Sequence, residues 1–361
     1  MKRVIVGMSG GVDSAVAAFL LKEKGYDVIG VTLRTWVGED GEESRCCEID
    51  DARRTAWELG IRYYPYNCLG LFKEKVIEPF AQDYIHGLTP NPCIECNRYV
   101  KWGKMLYIAD VFEADYIATG HYAHIVRKSN GRYTLRTADH ISKDQTYMLY
   151  KLTQDQLSRT LMPLGGYSKE QVRKIADDIG LTVAAKHDSQ ELCFVTEGSH
   201  ADYIDSMGLP DIPGEGAFTD LEGNRLGTHK GIHHYTIGQR KRLGIALGTP
   251  KFVTMLNEKT NEVILGDEAD LMSTTVSCGD INLMSIPELK IGEKIRCSVK
   301  IRYAHKAAPA VISRSENGTI EIEFDRPVRA ASPGQSAVFY DDDGCVIGGG
   351  RITVRTSYHY G

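Results

Sequence analysis

The sequence predicts an α/β protein: a mostly parallel sheet covered by helices, then a small loop-rich central domain, then a small antiparallel β-barrel. Three observations predict it. Apolar strands alternate with helices over the first third, the stretch from Pro210 to Gly248 is rich in Gly and Pro, and beyond about Cys278 the hydrophobic period becomes two. A chain of 361 residues is longer than one core usually supports. The expected boundaries are 1–205, 206–279 and 280–361.

Val4 to Gly7 reads as a short apolar strand, Ala15 to Lys24 as a helix closed by Gly25, and Val28 to Leu33 as a second strand, which makes a βαβ unit. Asp50 to Leu59 continues as a helix, Arg62 to Tyr66 as a strand, Leu71 to His86 and Tyr99 to Phe112 as helices, and Tyr116 to Thr119 as a strand. Strands joined by helices imply a mostly parallel sheet covered on both faces. Ser168-Lys169-Glu170-Gln171 has capping-box spacing, and the helix it opens is expected to end at Gly180. Helical signal stops soon after Gly208. At the C-terminal end Ile295, Cys297, Val299, Ile301 and Tyr303 alternate with polar residues, as do Ile320, Ile322 and Phe324, and Asp343-Gly344 signals a hairpin turn.

Composition narrows the class. With 42% hydrophobic and 25% charged residues, no bilayer-length apolar run and no secretory h-region, a soluble cytoplasmic protein is expected. Nine cysteines are then not a disulfide framework, which leaves metal binding, catalysis or burial. A net charge of -5 argues against a non-specific nucleic-acid coat, so any RNA partner must be held by local basic segments.

Ser9-Gly10-Gly11-Val12-Asp13-Ser14 lies between the first strand and the first helix. Small residues there let backbone N–H groups approach an anion, and the helix N-terminus adds a favourable dipole. The loop is neither the Walker pattern nor a Rossmann fingerprint. It resembles the PP-loop of N-type ATP pyrophosphatases, a Rossmann-like, adenine nucleotide alpha hydrolase-like fold. That resemblance implies that Gly7, Met8, Ser9, Gly10, Gly11, Val12, Asp13 and Ser14 hold the ATP phosphates, that Asp13 contacts Mg2+, and that Leu33 and Gly120 border the adenine and ribose. Leu33 read on its own is a core residue closing an apolar strand.

Thr89-Pro90-Asn91-Pro92-Cys93-Ile94-Glu95-Cys96-Asn97 precedes a predicted helix, and Asp188-Ser189-Gln190-Glu191-Leu192-Cys193-Phe194 lies far along the same domain. With SGGVDS, ATGHYA, Lys143-Asp144-Gln145 and YTIGQR in this order, the chain resembles the bacterial tRNA-specific 2-thiouridylase (MnmA) family along nearly its whole length. The resemblance implies ATP-dependent 2-thiolation of the wobble uridine of Lys, Glu and Gln tRNAs. ATP adenylates the uridine 2-oxygen, a persulfide sulfur attacks that carbon, and AMP and pyrophosphate are released. It makes Cys96 the catalytic thiol and Cys193 the persulfide carrier, the two forming a transient disulfide. It places Asn91, Pro92 and Cys93 on the flipped target base, and His121, Lys143, Asp144, Gln145, Arg302, Tyr303 and Gln335 on the tRNA. A sulfur donor protein, a cysteine desulfurase or a relay protein, is implied as partner.

Cys96 just before a helix would have its thiolate favoured by the dipole. Cys68, Cys278, Cys297 and Cys345 read as buried filler, and Cys46-Cys47 stays unassigned. Many family members carry Asp where this chain has Cys93. The resulting Cys93-x-x-Cys96 with Cys193 leaves open an iron–sulfur cluster as an alternative to the persulfide. His229-Lys230, His233-His234, Arg240-Lys241-Arg242 and the Arg302 to Lys306 stretch are the basic segments suited to RNA phosphates. Two rival readings remain at this point: a PP-loop amide or guanidine synthetase, and a nucleotide-binding RNA adaptor without chemistry.

Overall fold

The computed structural model describes residues 1–38, 48–186 and 192–357, with only the backbone described over 354–357. Chain order is β1 (Arg3–Gly7), α1 (Val12–Glu23), β2 (Asp27–Arg34), α2 (Ile49–Glu58), β3 (Arg62–Asn67), α3 (Leu69–Phe72), α4 (Glu78–Ile85), α5 (Pro92–Glu95) and α6 (Gly103–Val111). It continues with β4 (Tyr116–Ala118), β5 (Ala123–Arg127), β6 (Tyr133–Thr137), α7 (Gln154–Ser158), β7 (Thr160–Leu161), α8 (Lys169–Asp178) and α9 (His200–Ser206). All later elements but short 3-10 turns are strands: β8 (Gly216–Thr219), β9 (Arg225–His229), β10 (Phe252–Asn257), β11 (Glu262–Gly266), β12 (Met272–Leu283), β13 (Lys294–Lys300), β14 (Ala308–Arg314), β15 (Ile320–Arg329), β16 (Ser336–Tyr340) and β17 (Val346–Ser357).

The chain divides into two compact units. The first comprises Met1–Ile77, Cys93–Thr196 and Asp343–Ile347. Its parallel sheet has the order β3-β2-β1-β4-β7, with Val4, Ile5 and Val6 of β1 fully buried because strands covered on both faces carry continuous apolar runs. The small residues Ala15, Val16, Ala17 and Ala18 let α1 lie close against this sheet. Ser168 caps α8 through Gln171 N, and the Gln171 side chain answers to the Ser168 backbone, so the capping box forms as the spacing predicts. A two-stranded hairpin, β5-β6, was not legible in the sequence. It meets the Asp343-Gly344 turn, where Thr137 N donates to Gly344 O at 3.0 Å and Thr134 Oγ1 to Val346 O at 2.5 Å.

Two helix starts differ from expectation for one reason. The helix expected from Tyr99 runs without a break from Pro92 through a π-helical stretch, Cys96–Trp102, into α6, and the helix expected from Leu71 has its own π stretch at Lys73–Ile77. A π turn inserts an extra residue, which breaks the 3.6 period from which helices are read. Cys96 therefore does not precede the helix; Pro92 opens it, and Cys93 lies in its first turn.

The second unit comprises Glu78–Pro92, Glu197–Asp342 and Gly348–Gly361. The loop-rich centre holds a four-stranded sheet, β10-β11-β8-β9, around Phe218, Tyr235, Val253, Val263 and Leu265. The barrel is closed in the order β12-β15-β14-β13-β16-β17. Cys297, Val299, Ile301, Ile320, Ile322 and Phe324 point inward as their alternation predicts, while Tyr303, beyond the end of β13, is exposed. The barrel starts earlier than the expected cut at 280, which passes through β12. Register shifts between Ser273 and Thr275 and between Ser277 and Cys278 disturb the period-two signal there.

Candidate ATP and thiol site

The strand order reverses at β1, which lies between β2 and β4, and ligands of open α/β sheets bind outside the carboxyl ends of strands at such a point. The loop from Met8 to Gly11 leaves β1 there. Met8 N donates to Val31 O at 2.8 Å and Thr32 Oγ1 to Met8 O at 2.6 Å, fixing the loop to the end of β2. Ser14 Oγ donates to Gly11 O at 3.0 Å and accepts from Ser9 N at 3.1 Å, folding the loop over the first turn of α1. Gly11, the N-cap of α1, supplies no side-chain cap, which suits a helix N-terminus that is to receive an anion.

Two glycines are required by close approach. Gly10 has φ +79°, and a Cβ there would meet the Glu48 carbonyl oxygen at 2.8 Å. At Gly120, just past β4, a Cβ would stand 2.8 Å from the Asp13 carbonyl carbon and the Ser14 nitrogen. Gly120 therefore lies directly on the first turn of α1, while Leu33 is buried in β2 opposite Tyr66 of β3, as a core residue is.

Asp13 is not placed as a magnesium contact. Its Oδ1 accepts from Tyr122 OH at 2.7 Å and from Lys169 Nζ at 2.8 Å, and Oδ2 accepts from the same ammonium at 2.9 Å. The Lys169 side chain is 8% exposed. A carboxylate already neutralised by a buried ammonium does not suit a divalent cation. Neither Lys169 nor Tyr122 stood out in the sequence as a partner of Asp13. Lys169 is the first residue of the capped helix α8, so the Ser168 cap sets where its side chain starts.

The thiol-bearing helix is tied to the same crevice. Trp102, at the end of the π-helical stretch, packs its ring 5.5 Å from His121 and donates Nε1–H to Thr160 Oγ1 at 2.9 Å. Asn97, next to Cys96, donates Nδ2–H to Met148 O at 3.1 Å, and Lys151 Nζ donates to Glu95 Oε1 at 2.6 Å. The π-helical stretch also packs on α3, and Phe194, beside Cys193, stacks edge-on to Phe72 of α3 at 5.7 Å. Cys96 and Cys193 are partly exposed and Cys93 is exposed, whereas Cys68, Cys278, Cys297 and Cys345 are buried. Burial pushes the Cys297 thiol up to about 12 and the Cys278 thiol higher still, as suits inert core cysteines. Cys46-Cys47 lies outside the described residues.

Several residues expected on tRNA make contacts within the fold. Asp144 is 4% exposed, accepts from Thr146 Oγ1 at 2.7 Å and from Ala138 N at 3.2 Å, and presents no surface to a macromolecule. Gln145 accepts from Tyr122 N at 2.9 Å through Oε1 and donates its own N–H to Tyr122 O at 3.1 Å, which holds the His121-Tyr122 loop. Burial, with Lys101 adding to it, pushes the His121 imidazole down to about 3, so it is neutral at physiological pH. In the second unit His229 and His233 are buried and cannot meet RNA phosphates. Arg240, Lys241 and Arg242 are exposed, and Arg240 and Arg242 line an open depression with Lys251. Tyr303 is exposed under Lys300, whose Nζ lies 5.6 Å from the ring centre, and Arg302 donates to Arg329 O at 3.0 Å. Gln335 Nε2 donates to Thr89 O at 2.9 Å, gripping the residues that lead into Asn91, Pro92 and Cys93.

A phosphate-binding loop without a Walker lysine, set at the switch point of a parallel sheet and joined to a helix carrying accessible thiols, defines an ATP-utilising PP-loop enzyme. The family models described as tRNA methyl transferase HUP domain, tRNA methyl transferase PRC-barrel domain and aminomethyltransferase beta-barrel domain match residues 2–197, 209–267 and 273–352. The chain is 51% identical to the tRNA-specific 2-thiouridylase MnmA of Lachnoclostridium phytofermentans, covering 98% of this chain and 99% of the relative, and 50% identical to that of Clostridium beijerinckii, covering 97% and 98%. It belongs to the tRNA-specific 2-thiouridylase family. Among solved structures, the U34-tRNA thiolase NcsA from Methanococcus maripaludis with its 4Fe–4S cluster is 19% identical over 57% of this chain and 64% of that chain, with a TM-score of 0.35.

Proposed function

We propose that this chain carries out the reaction of its family, the ATP-dependent 2-thiolation of a tRNA uridine, with the wobble uridine of Lys, Glu and Gln tRNAs as substrate. The observation that carries the reading is the tie between the helix bearing Cys96 and the loop past β4. Through Trp102 and His121 it joins thiol chemistry to the nucleotide crevice within one unit.

The chain's own groups divide the work. First-turn N–H groups of α1 meet the ATP phosphates, with Gly120 allowing close approach, and AMP is transferred to the uridine 2-oxygen as pyrophosphate leaves. The terminal sulfur of a persulfide on Cys193 attacks carbon 2, and AMP departs with the former oxygen. The Cys96 thiolate then attacks the Cys193 sulfur and the S–S bond to the substrate breaks. Its electron pair stays on the sulfur that becomes the thiocarbonyl, and a Cys96–Cys193 disulfide remains, to be reopened by a thiol reductant. Asn91, Pro92 and Cys93 would receive the flipped base, and Lys143, Arg302 and Tyr303 with Arg240, Lys241 and Arg242 would meet tRNA phosphates. Magnesium would accompany the nucleotide. A cysteine desulfurase or relay protein would supply the sulfur, and the cytoplasm is the expected compartment; no helix among the described residues is long and apolar enough to cross a membrane.

The test is incubation with tRNA, ATP and a persulfide donor, a cysteine desulfurase with cysteine, followed by mass spectrometry of the nucleosides. A gain of sulfur on uridine supports the reading. AMP formation with unmodified tRNA would favour a PP-loop synthetase, and tRNA binding without nucleotide turnover would favour an adaptor.

A further inference from the structure

A second constellation of coordinating side chains lies outside the nucleotide site. In the second unit, α9 packs against the 3-10 turn Ile232–His234, and Asp205, one residue before the end of α9, faces that turn. His233 Nε2 stands 2.8 Å from Asp205 Oδ1, and His234 Nε2 stands 3.3 Å from Oδ2. The two rings are 4.3 Å apart, and the three ligand atoms all lie within 4.8 Å of one another. His233 is 1% exposed, His234 18% and Asp205 45%. The cluster is thus walled on one side and open to water on the other.

We propose that Asp205, His233 and His234 form a binding site for a divalent transition metal of the zinc class, with water in the remaining position. Ligand atoms of a tetrahedral zinc ion bonded at about 2.0–2.2 Å are separated by roughly 3.3–3.5 Å; the two Asp205 spacings, 2.8 and 3.3 Å, lie near that range, and the two histidine nitrogens, within 4.8 Å of each other, would close toward it. Two imidazole nitrogens and one carboxylate select zinc, cobalt or nickel over magnesium or calcium. His233 turns its Nε2 to Asp205, while its Nδ1 is buried and makes no hydrogen bond. A metal here would clip the end of α9 to the turn that leads into Tyr235 to Gln239 and the exposed Arg240, holding the base of that basic loop.

The experiment uses the full chain, stripped with EDTA and kept reduced, titrated with Co2+ and observed by visible absorption. One Co2+ per chain with d–d bands of nitrogen and oxygen ligation is expected. In Asp205→Asn and His234→Gln, at an exposed and a partly exposed position, affinity should fall by about 100-fold or more. Melting temperatures without metal should match the wild type, while Zn2+ should raise the melting temperature of the wild type alone. His234→Cys should add a thiolate-to-cobalt charge-transfer band absent from the wild-type titration. Wild-type binding unchanged by these substitutions, Co2+ bands of thiolate character only in the wild type, or no binding at millimolar Co2+ would each overturn the proposal.

Discussion

Gln335 Nε2 donates to the carbonyl oxygen of Thr89 at 2.9 Å, a bond between residues 246 positions apart. Thr89 N in turn donates to Pro333 O at 2.8 Å, and a Cβ at Gly334 would meet Thr89 N at 2.7 Å, so the Ser332 to Gln335 turn packs closely on Thr89, two residues before Asn91. Gln335→Ala removes a donor from a partly buried carbonyl and should cost about 1 kcal/mol of stability. Single-turnover thiolation should slow while tRNA affinity changes little. A drop in affinity with an unchanged rate would instead make Gln335 a direct tRNA contact.

Asp13→Asn should abolish tRNA-dependent pyrophosphate release and leave tRNA binding intact. The substitution leaves the buried Lys169 ammonium without its counter-charge, at a cost of about 2 kcal/mol, discounted from a fully buried pair because Asp13 is partly exposed. Ser168→Ala should weaken the same contact indirectly through loss of the cap on α8, by about 1 kcal/mol. Pyrophosphate release and thermal melting of both variants check this, and normal turnover in Asp13→Asn contradicts the phosphate-loop role.

Cys96→Ser and Cys193→Ser should each lose thiolation with abundant ATP and persulfide donor, whereas Cys93→Ser should retain most of it if a persulfide carries the sulfur. Activity then needs no iron. Anaerobic purification with iron quantification decides the matter: a stoichiometric cluster lost together with activity in Cys93→Ser replaces the persulfide by a cluster.

Acid should destabilise the fold earlier than its carboxylates would. The His121 imidazole titrates near 6.5 when unfolded and near 3 when folded, so between these values the unfolded chain binds more protons. Stability from this group is complete above about pH 6.5 and is lost as pH falls toward 3. Desolvation lowers His200, His229, His234 and His305 in the same direction. Urea denaturation at pH 7.5 and 5.5 should show the loss, and His121→Asn should flatten it; an identical slope in that variant removes His121 from the account.

The sequence made legible those features that depend on neighbours along the chain. The SGGVDS turn, the Ser168 capping box and the alternation around Cys297 and Ile322 are local patterns, and each forms as read. What escaped depends on distance or broken periodicity. A lysine is ordinarily exposed, and nothing near Lys169 in sequence signals an aspartate 156 positions away. The central strands β8 to β11 hid behind glycines used for contact rather than for turns: a Cβ at Gly216 would fall 2.1 Å from Asn261 O. The histidines there looked like RNA ligands because burial of His229 and His233 is a tertiary fact.

The hairpin tip at Asp343–Ile347 belongs to the same unit as β5 and β6, although nearly all the chain between Thr196 and Asp342 belongs to the other. On the ribosome this sets a delay. Synthesis at about 5–20 residues per second leaves the β5-β6 hairpin without its covering backbone for roughly 7–30 s after Thr196 has emerged. The first unit to be translated is therefore among the last to close, and a nascent chain released early would carry a nucleotide loop on an unfinished domain.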